Sequence, residues 1–377
     1  MFTISRMGPS YGILDCSKVG ALMRKLTDRI AIAILAVCLG LPANVFTNLA
    51  LAGFNIQHLG WDNDKDYEAL GVIGRQFDFI AVQEAMNSQG VARKVEALEA
   101  QTDESWSAIY SHPIGRGSYR EKYAFVWRDS ALEYVDGAVV YIDERASFAR
   151  EPFSARFRSR HTGVEFAAAN IHVLFGDSVS DRAPEIRYLA RYWDWLASVY
   201  EDTPRILFGD FNLNPGHEAW EPIKAQAEKL IQGGGTTISP IDGRFPNNYD
   251  NIIVGQGTAL EIRESGIYHF PRTRGITHEQ ARDHVSDHVP VFVLMGEAML
   301  RGDPDFEFHP GGLGELSCID LNTAMTFDLE RLMHIGEARA GEIIEGRPWE
   351  GVESLGRIQG IGPARIGDIE EQGLVCE

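Results

Sequence analysis

Residues 205–213, RILFGDFNL, decide the reading of this chain. Ile206–Phe208 is a short apolar run closed by Gly209, and Asp210 and Asn212 follow at once. β-branched and aromatic residues that stop at a polar turn read as a strand, here one whose end carries functional groups. The pattern repeats along the chain. Leu51–Ile56 holds Asn55 near its end, Phe79–Gln83 runs into Glu84, and Phe166–Val173 carries His172. Tyr123–Trp127 is another such run. Asp250 stands before Ile252–Val254, and Asp287 and His288 directly precede Val289–Leu294. Tyr67–Phe77, Val91–Ala100 and Glu185–Tyr200 have apolar residues at helical spacing between these strands. The alternation predicts a layered α/β domain of roughly 250 residues.

Polar groups at strand ends are held by rigid elements yet stay open to ligands. Their chemistry is specific. Asn55, Glu84, Asp210, Asn212 and Asp287 supply the carboxylate and amide oxygens that a hard cation such as Mg²⁺ prefers. Two histidines, each with a carboxylate of its own, suit proton transfer, because imidazole titrates near neutral pH. A cation to offset phosphoryl charge, a base for water and an acid for the leaving oxygen are what phosphodiester hydrolysis requires. No close Cys/His cluster points to structural zinc.

The chain of 377 residues is 44% hydrophobic and 24% charged, ordinary for a globular protein, but its net charge of −19 is unusual for a nucleic-acid binder. Local Arg residues and bound cations would have to meet the phosphates. Residues 1–43 read as an export leader: Arg24, Lys25 and Arg29 precede the apolar run Ile30 to Leu41, and Pro42 and Ala43 follow. The 22 residues before Met23 fit no part of that pattern, so translation is expected to start at Met23. Loss of the leader would leave a charge near −22 and no membrane span, and a secreted or periplasmic monomer is expected. Of the four cysteines, Cys16 and Cys38 fall in the leader. Cys318 and Cys376 bracket the C-terminal segment, where an exported protein has the option of a disulfide.

Phe54-Asn55-Ile56-Gln57, Val82-Gln83-Glu84, Gly209-Asp210-Phe211-Asn212, Tyr249-Asp250 and Ser286-Asp287-His288-Val289-Pro290 resemble the motifs of the endonuclease/exonuclease/phosphatase superfamily. The resemblance runs from about residue 51 to 294. Residues 118–128, SYREKYAFVWR, with Arg150-Glu151-Pro152-Phe153 and Asn170-Ile171-His172, are similar to the deoxyribonuclease I branch. That branch implies a four-layer α/β/β/α sandwich and a DNA substrate cut with low sequence specificity. It also implies site roles. Glu84 would bind catalytic Mg²⁺ (Mn²⁺ being the other option), with Asn55, Asp210 and Asp287 holding a second or shared cation position. His172 would pair with Glu121 and His288 with Asp250, and Asn212 would touch the scissile phosphate. Tyr119 would stack on a sugar or base, while Arg116, Arg120 and Arg150 would meet phosphates. The chain departs from the branch in three places. Gln57 and Met86 stand where it usually has Arg, and residues 141–149 hold no Cys, so structural Ca²⁺ does not carry over.

A Gly-, Pro- and acid-rich stretch, 296–314, reads as a linker closing a catalytic domain at 49–295. Residues 315–377 then resemble a small all-α helix-hairpin-helix domain like those of bacterial DNA-uptake proteins. Gly360-Ile361-Gly362 would present backbone N–H groups to a DNA phosphate. In the first hairpin His334 replaces the leading Gly, and that turn is expected to suffer. The segment carries thirteen acidic residues against five Arg, which opposes DNA binding. The rival readings are a phosphoesterase of the same fold acting on sphingomyelin or a nucleotide, and a non-enzymatic DNA-binding or uptake factor.

Overall fold

The structure, a computed structural model, describes residues 48–377 except 62–63, 242, 302–318, 323, 325–328, 330–331, 373 and 377. The leader therefore lies outside the described residues. In chain order the elements are β1 (Leu49–Leu59), α1 (Tyr67–Gly74), β2 (Phe79–Ala85), α2 (Ser88–Thr102), β3 (Trp106–Tyr110), β4 (Lys122–Arg128), β5 (Leu132–Val140), β6 (Phe153–Ser159) and β7 (Glu165–His172). Then come α3 (Val179–Val199), β8 (Arg205–Asp210), α4 (Glu221–Lys224), β9 (Ala227–Lys229), β10 (Asp250–Gly255), β11 (Ile262–Ile267), α5 (Phe270–Arg274), α6 (His278–His284) and β12 (Val291–Met295). The C-terminal segment contributes α7 (Glu337–Glu345) and α8 (Pro363–Gln372).

Two six-stranded mixed sheets form, ordered β11-β12-β1-β2-β4-β3 and β5-β6-β7-β8-β10-β9. Period-two alternation decides how the second sheet is covered. Phe166 and Ala168 of β7, Ile206 and Phe208 of β8, and Ile252 and Val254 of β10 join the core between the sheets. The intervening Ala167, Ala169, Leu207 and Ile253 face the other way, onto Ile186, Leu189, Trp193 and Leu196 of α3. The outer face of the first sheet takes Leu70, Ile73, Val91 and Leu98 from α1 and α2. The result is the α/β/β/α sandwich. Phe79 sits at its middle, its ring 5.0 Å from Phe157, 5.4 Å from Phe125 and 5.6 Å from Phe208.

The topology gathers the functional groups. Each sheet has one parallel pair, β1–β2 and β7–β8, flanked by antiparallel neighbours. The C-terminal ends of parallel strands thus lie beside the N-terminal ends of β4, β10 and β12. Asn55, Glu84, His172 and Asp210 belong to the first kind of end; Glu121, Asp250 and His288 belong to the second. In register, His172 lies opposite Asp210, and Asp210 opposite Asp250.

Several boundaries differ from expectation. Strand β1 continues to Leu59 through an irregularity between Asn55 and Leu59, and β12 begins at Val291 rather than Val289. Helix α3 starts six residues before Glu185. The Asp181 carboxylate accepts from the Ser178 N–H at 2.8 Å, and this cap fixes the first turn despite Pro184 inside the helix. The start of the expected linker is attached to the sandwich: Leu300 packs on the main core and Arg301 pairs with Asp78 at 2.8 Å. In the C-terminal segment Ile319, Leu329, Ile335, Ile343, Leu355, Ile358 and Ile369 form a core of their own. Cys376 is disulfide-bonded, and its expected partner Cys318 lies outside the described residues.

Candidate active site

Asp210 is the centre of the site. It ends β8, is 1% exposed, and its Oδ2 lies 3.5 Å from His172 Nε2 and 3.6 Å from His288 Nε2. The two rings therefore point their outer nitrogens at one oxygen. Gly209 before it permits the close approach, because a Cβ there would sit 2.5 Å from the Ile171 side chain. Asn55 Nδ2 donates to Asp210 Oδ2 at 3.0 Å and to Glu84 Oε1 at 3.1 Å, so one amide links the carboxylates of two sheets.

Each imidazole is backed at Nδ1. Glu121 Oε1 lies 3.0 Å from His172 Nδ1, and Asp250 Oδ2 lies 2.7 Å from His288 Nδ1. These are the two dyads that the resemblance implied. A carboxylate in that position fixes the ring and favours its protonated form. Glu121 is held at the mouth of β4 by a two-hydrogen-bond bridge to Ile114. Asp250 takes its place as Thr236 Oγ1 accepts from its N–H at 3.0 Å. The neighbours differ. Burial works against a charged His172, but Glu121 outweighs it and raises the pKa, with Arg150 pulling back. Burial also opposes a charged His288, yet Asp250 and Asp210 together lift it well above the usual imidazole range. Burial and the nearby Asp210 crowd Asp250 up to about 6, against the pull of His288. Asp210 itself is held low: burial is overcome by His288 and His172.

Strain collects at this spot. Glu84, Asn212 and His58 adopt positive φ of 57°, 50° and 55° without being glycine. For Asn212 this conformation lets its N–H reach Asp210 Oδ1 at 3.0 Å, while its Nδ2 donates to the Val173 carbonyl at 2.9 Å. One amide hydrogen remains for a ligand. Gln83 Nε2 donates to Asn170 Oδ1 at 2.5 Å between the sheets and stiffens the base of the site.

The buried oxygens fit a hard cation. Asp210, Asp250 and His288 have ligand atoms within 4.8 Å of one another. Asp250 Oδ1 is buried and accepts no hydrogen bond among the described residues. Glu84 and Asn55 border the same group. Asp287 is set back, half-buried, where its charge acts on His288 and on Lys65. Asn55 offers its nitrogen to the carboxylates, and its Oδ1 accepts from the Gln57 N–H at 3.0 Å. As placed, its nitrogen spaces the carboxylates, and its Oδ1 keeps a second lone pair beyond that bond.

Two arginines expected at phosphates are engaged elsewhere. Arg150 is 8% exposed and lies beneath His172, donating to the carbonyls of His172 and Val173 at 3.1 Å each, with Glu121 3.7 Å away. It is a positioning residue for the first dyad, because the acceptors that capture it are backbone groups. Arg116 is tied to Asp143 at 3.1 Å and Glu151 at 3.0 Å. Arg120 is exposed, and Tyr119 is 37% exposed beside Glu84. In the C-terminal segment Gly360 has φ +83°, and Arg365 donates to its carbonyl at 2.8 Å. His334 holds the left-handed conformation (φ 66°) in place of the expected Gly, and its ring meets Asp368 at 2.5 Å, so this turn is kept.

From residue 52 to 288 the sequence matches the Endonuclease/Exonuclease/phosphatase family. The chain belongs to this family. It is therefore an enzyme of a hydrolytic family, built on that family's sandwich. A protein named Deoxyribonuclease from Thioalkalivibrio sp. (strain K90mix) is 49% identical over 362 residues, 94% of this chain and 99% of its own. Deoxyribonuclease-1 of Homo sapiens is 29% identical over 66% of this chain and 92% of its own. A mannosyl-6-phosphatase of Bacteroides thetaiotaomicron has a TM-score of 0.50 at 17% identity, covering 66% of this chain and 99% of its own, a likeness of fold alone. His58, Trp61 and Lys65 were not singled out in the sequence. The apolar run that marks β1 stops at Ile56, and nothing in the sequence beyond it signals that the strand continues.

Proposed function

We propose that this enzyme hydrolyses phosphodiester bonds of DNA with low sequence specificity, assisted by Mg²⁺ or Mn²⁺. The convergence of two separately backed imidazoles on Asp210 Oδ2 carries the reading. A phosphodiester entering there meets one ring on each side. One imidazole takes a proton from water as its oxygen bonds to phosphorus. The other gives a proton to the 3′-oxygen as the P–O bond breaks, leaving 5′-phosphate and 3′-hydroxyl ends. Asn212 would donate its remaining amide hydrogen to a phosphoryl oxygen. A divalent cation held by Asp210 with Glu84, Asp250 or Asp287 would offset the growing phosphoryl charge. Names of relatives at 49% and 29% identity favour DNA over the other substrates this fold serves.

The likeness to the Thioalkalivibrio protein extends over 94% of the chain, whereas that to the human enzyme covers 66%. We read the C-terminal segment as a helix-hairpin-helix domain that retains DNA near the site. Arg339 and Arg365 flank Gly360, so local charge at the turn opposes the acidic surroundings. Export through the leader completes the proposal. No helix among the described residues is long and apolar enough to cross a membrane.

A plasmid-nicking assay with Mg²⁺, Mn²⁺ or EDTA, run beside RNA and sphingomyelin, tests the function. Cation-dependent nicking with little turnover of the other two is expected. Nicking that survives EDTA, or turnover confined to sphingomyelin, would overturn it. Deleting residues 315–377 should weaken DNA retention more than it slows turnover; unchanged retention would remove that role from the tail.

A further inference from the structure

We propose that Trp61, His58 and Tyr119 form a stacking subsite for an unpaired nucleobase next to the scissile phosphate, which makes strands with exposed base faces the favoured substrate. The proposal rests on the DNA reading above and narrows it. Trp61 is 47% exposed although it is the largest kind of side chain, and it stands at the end of the irregular β1 extension. His58 stacks on it with centroids 4.2 Å apart and planes 22° apart. Tyr119 stands edge-on to both, 6.1 Å from His58 and 6.2 Å from Trp61. The group joins the buried centre through Glu84. Its Oε2 lies 3.4 Å from His58 Nε2 and accepts from the His58 N–H at 3.1 Å. Met86 extends the surface, with its sulfur 3.9 Å from the Tyr119 hydroxyl.

Electrostatics and geometry argue in the same direction. The exposed cation next to Tyr119 in the sequence is Arg120 alone, and the chain as a whole carries a net charge of −19. Binding that gains little from neutralised phosphates must draw on another source, and aromatic stacking is that source for single strands. Inside a duplex the faces of a base are covered by its neighbours, and only edges show in the grooves. A flat indole beside an upright phenol therefore matches a base face and has little to offer a paired one. His58 backs the indole, leaving the pair ordered before the substrate arrives.

Initial rates on three DNA probes of equal length test this: a single strand, the same strand in a blunt duplex, and the single strand with abasic sites flanking one cleavable linkage. For the native enzyme, KM should be lowest on the intact single strand, and the abasic strand should lose most of that advantage. Trp61→Ala should raise KM on the single strand about tenfold and on the duplex less than threefold, with Trp61→Phe restoring most of the loss. The abasic probe should hardly distinguish Trp61→Ala from the native enzyme. Equal changes on single strand and duplex, or none on either, would overturn the subsite while DNA cleavage itself persists. Absence of cleavage on all three probes by the native enzyme would instead remove the DNA reading beneath it.

Discussion

Around Asp210, the carboxylates of Glu121, Asp210 and Asp250 are each at most 1% exposed, and each lies within hydrogen-bonding or ion-pair reach of an imidazole. A few residues outward, Trp61 and Tyr119 are 47% and 37% exposed and make ring contacts with each other and with His58, Tyr119 also meeting Met86 and Arg150. The inner part consists of charges that would be costly to bury singly and are tolerable only together. Its geometry is thereby fixed by many partners at once. The outer part is held by ring contacts at the surface rather than by buried charges. Such a division leaves the outer part open to change without disturbing the inner one.

If that division is right, damage to the inner part should be severe. His172→Ala and His288→Ala are each expected to lower turnover by about 10²–10⁴-fold with little change in KM, since proton transfer is what is lost. The double variant should lose far less than the product, because the rings act on one event. Single variants that retain near-native turnover would show that the buried rings do not carry the protons.

Arg150 sharpens it. Its guanidinium holds down the His172 pKa that Glu121 raises. Removing the cation in Arg150→Met favours the protonated ring, so the His172 pKa must rise. Whichever limb of the pH–rate profile reports His172 should move to higher pH, while the His288 limb stays in place. Arg150→Lys keeps the charge and should return the limb most of the way. A limb that moves down, or two limbs that move together, would mean that Arg150 acts only through packing.

The case of Arg150 also shows where sequence reading stops. Asp210, Glu84, His172 and His288 were legible because a short apolar run ending in a polar group betrays both a strand and its end. The groups that capture Arg150 are the carbonyls of His172 and Val173, and a carbonyl has no letter in the sequence. Strand β5 was missed for another reason. Asp136-Gly137 reads as a turn in the middle of Leu132–Val140, and irregularities on either side of it break the period-two alternation. Trp61 escaped because β1 runs on past Asn55 through an irregularity that no alternation announces. His334 shows the reverse error: substitution of a Gly was read as a spoiled turn, yet the side chain keeps the conformation and gains a partner in Asp368.

The smallest effects should come from the exposed arginines, and they divide along the same line. Arg116 is spent on Asp143 and Glu151, whereas Arg120 is exposed and meets no carboxylate among the described residues. Only a cation that exchanges condensed counterions for a phosphate contributes to the salt dependence of DNA binding. Arg120→Ala should therefore flatten the slope of log KM against log salt by about 0.7–0.9, the value of one phosphate contact, and raise KM about twofold to threefold. Arg116→Ala frees two carboxylates near the path of the strand, so KM should rise slightly at low salt with no flattening of the slope. Should Arg116→Ala flatten it as much as Arg120→Ala, the ion pairs with Asp143 and Glu151 give way when DNA binds. Arg116 would then act at the outer edge after all, the part of the molecule whose contacts are least fixed before the substrate arrives.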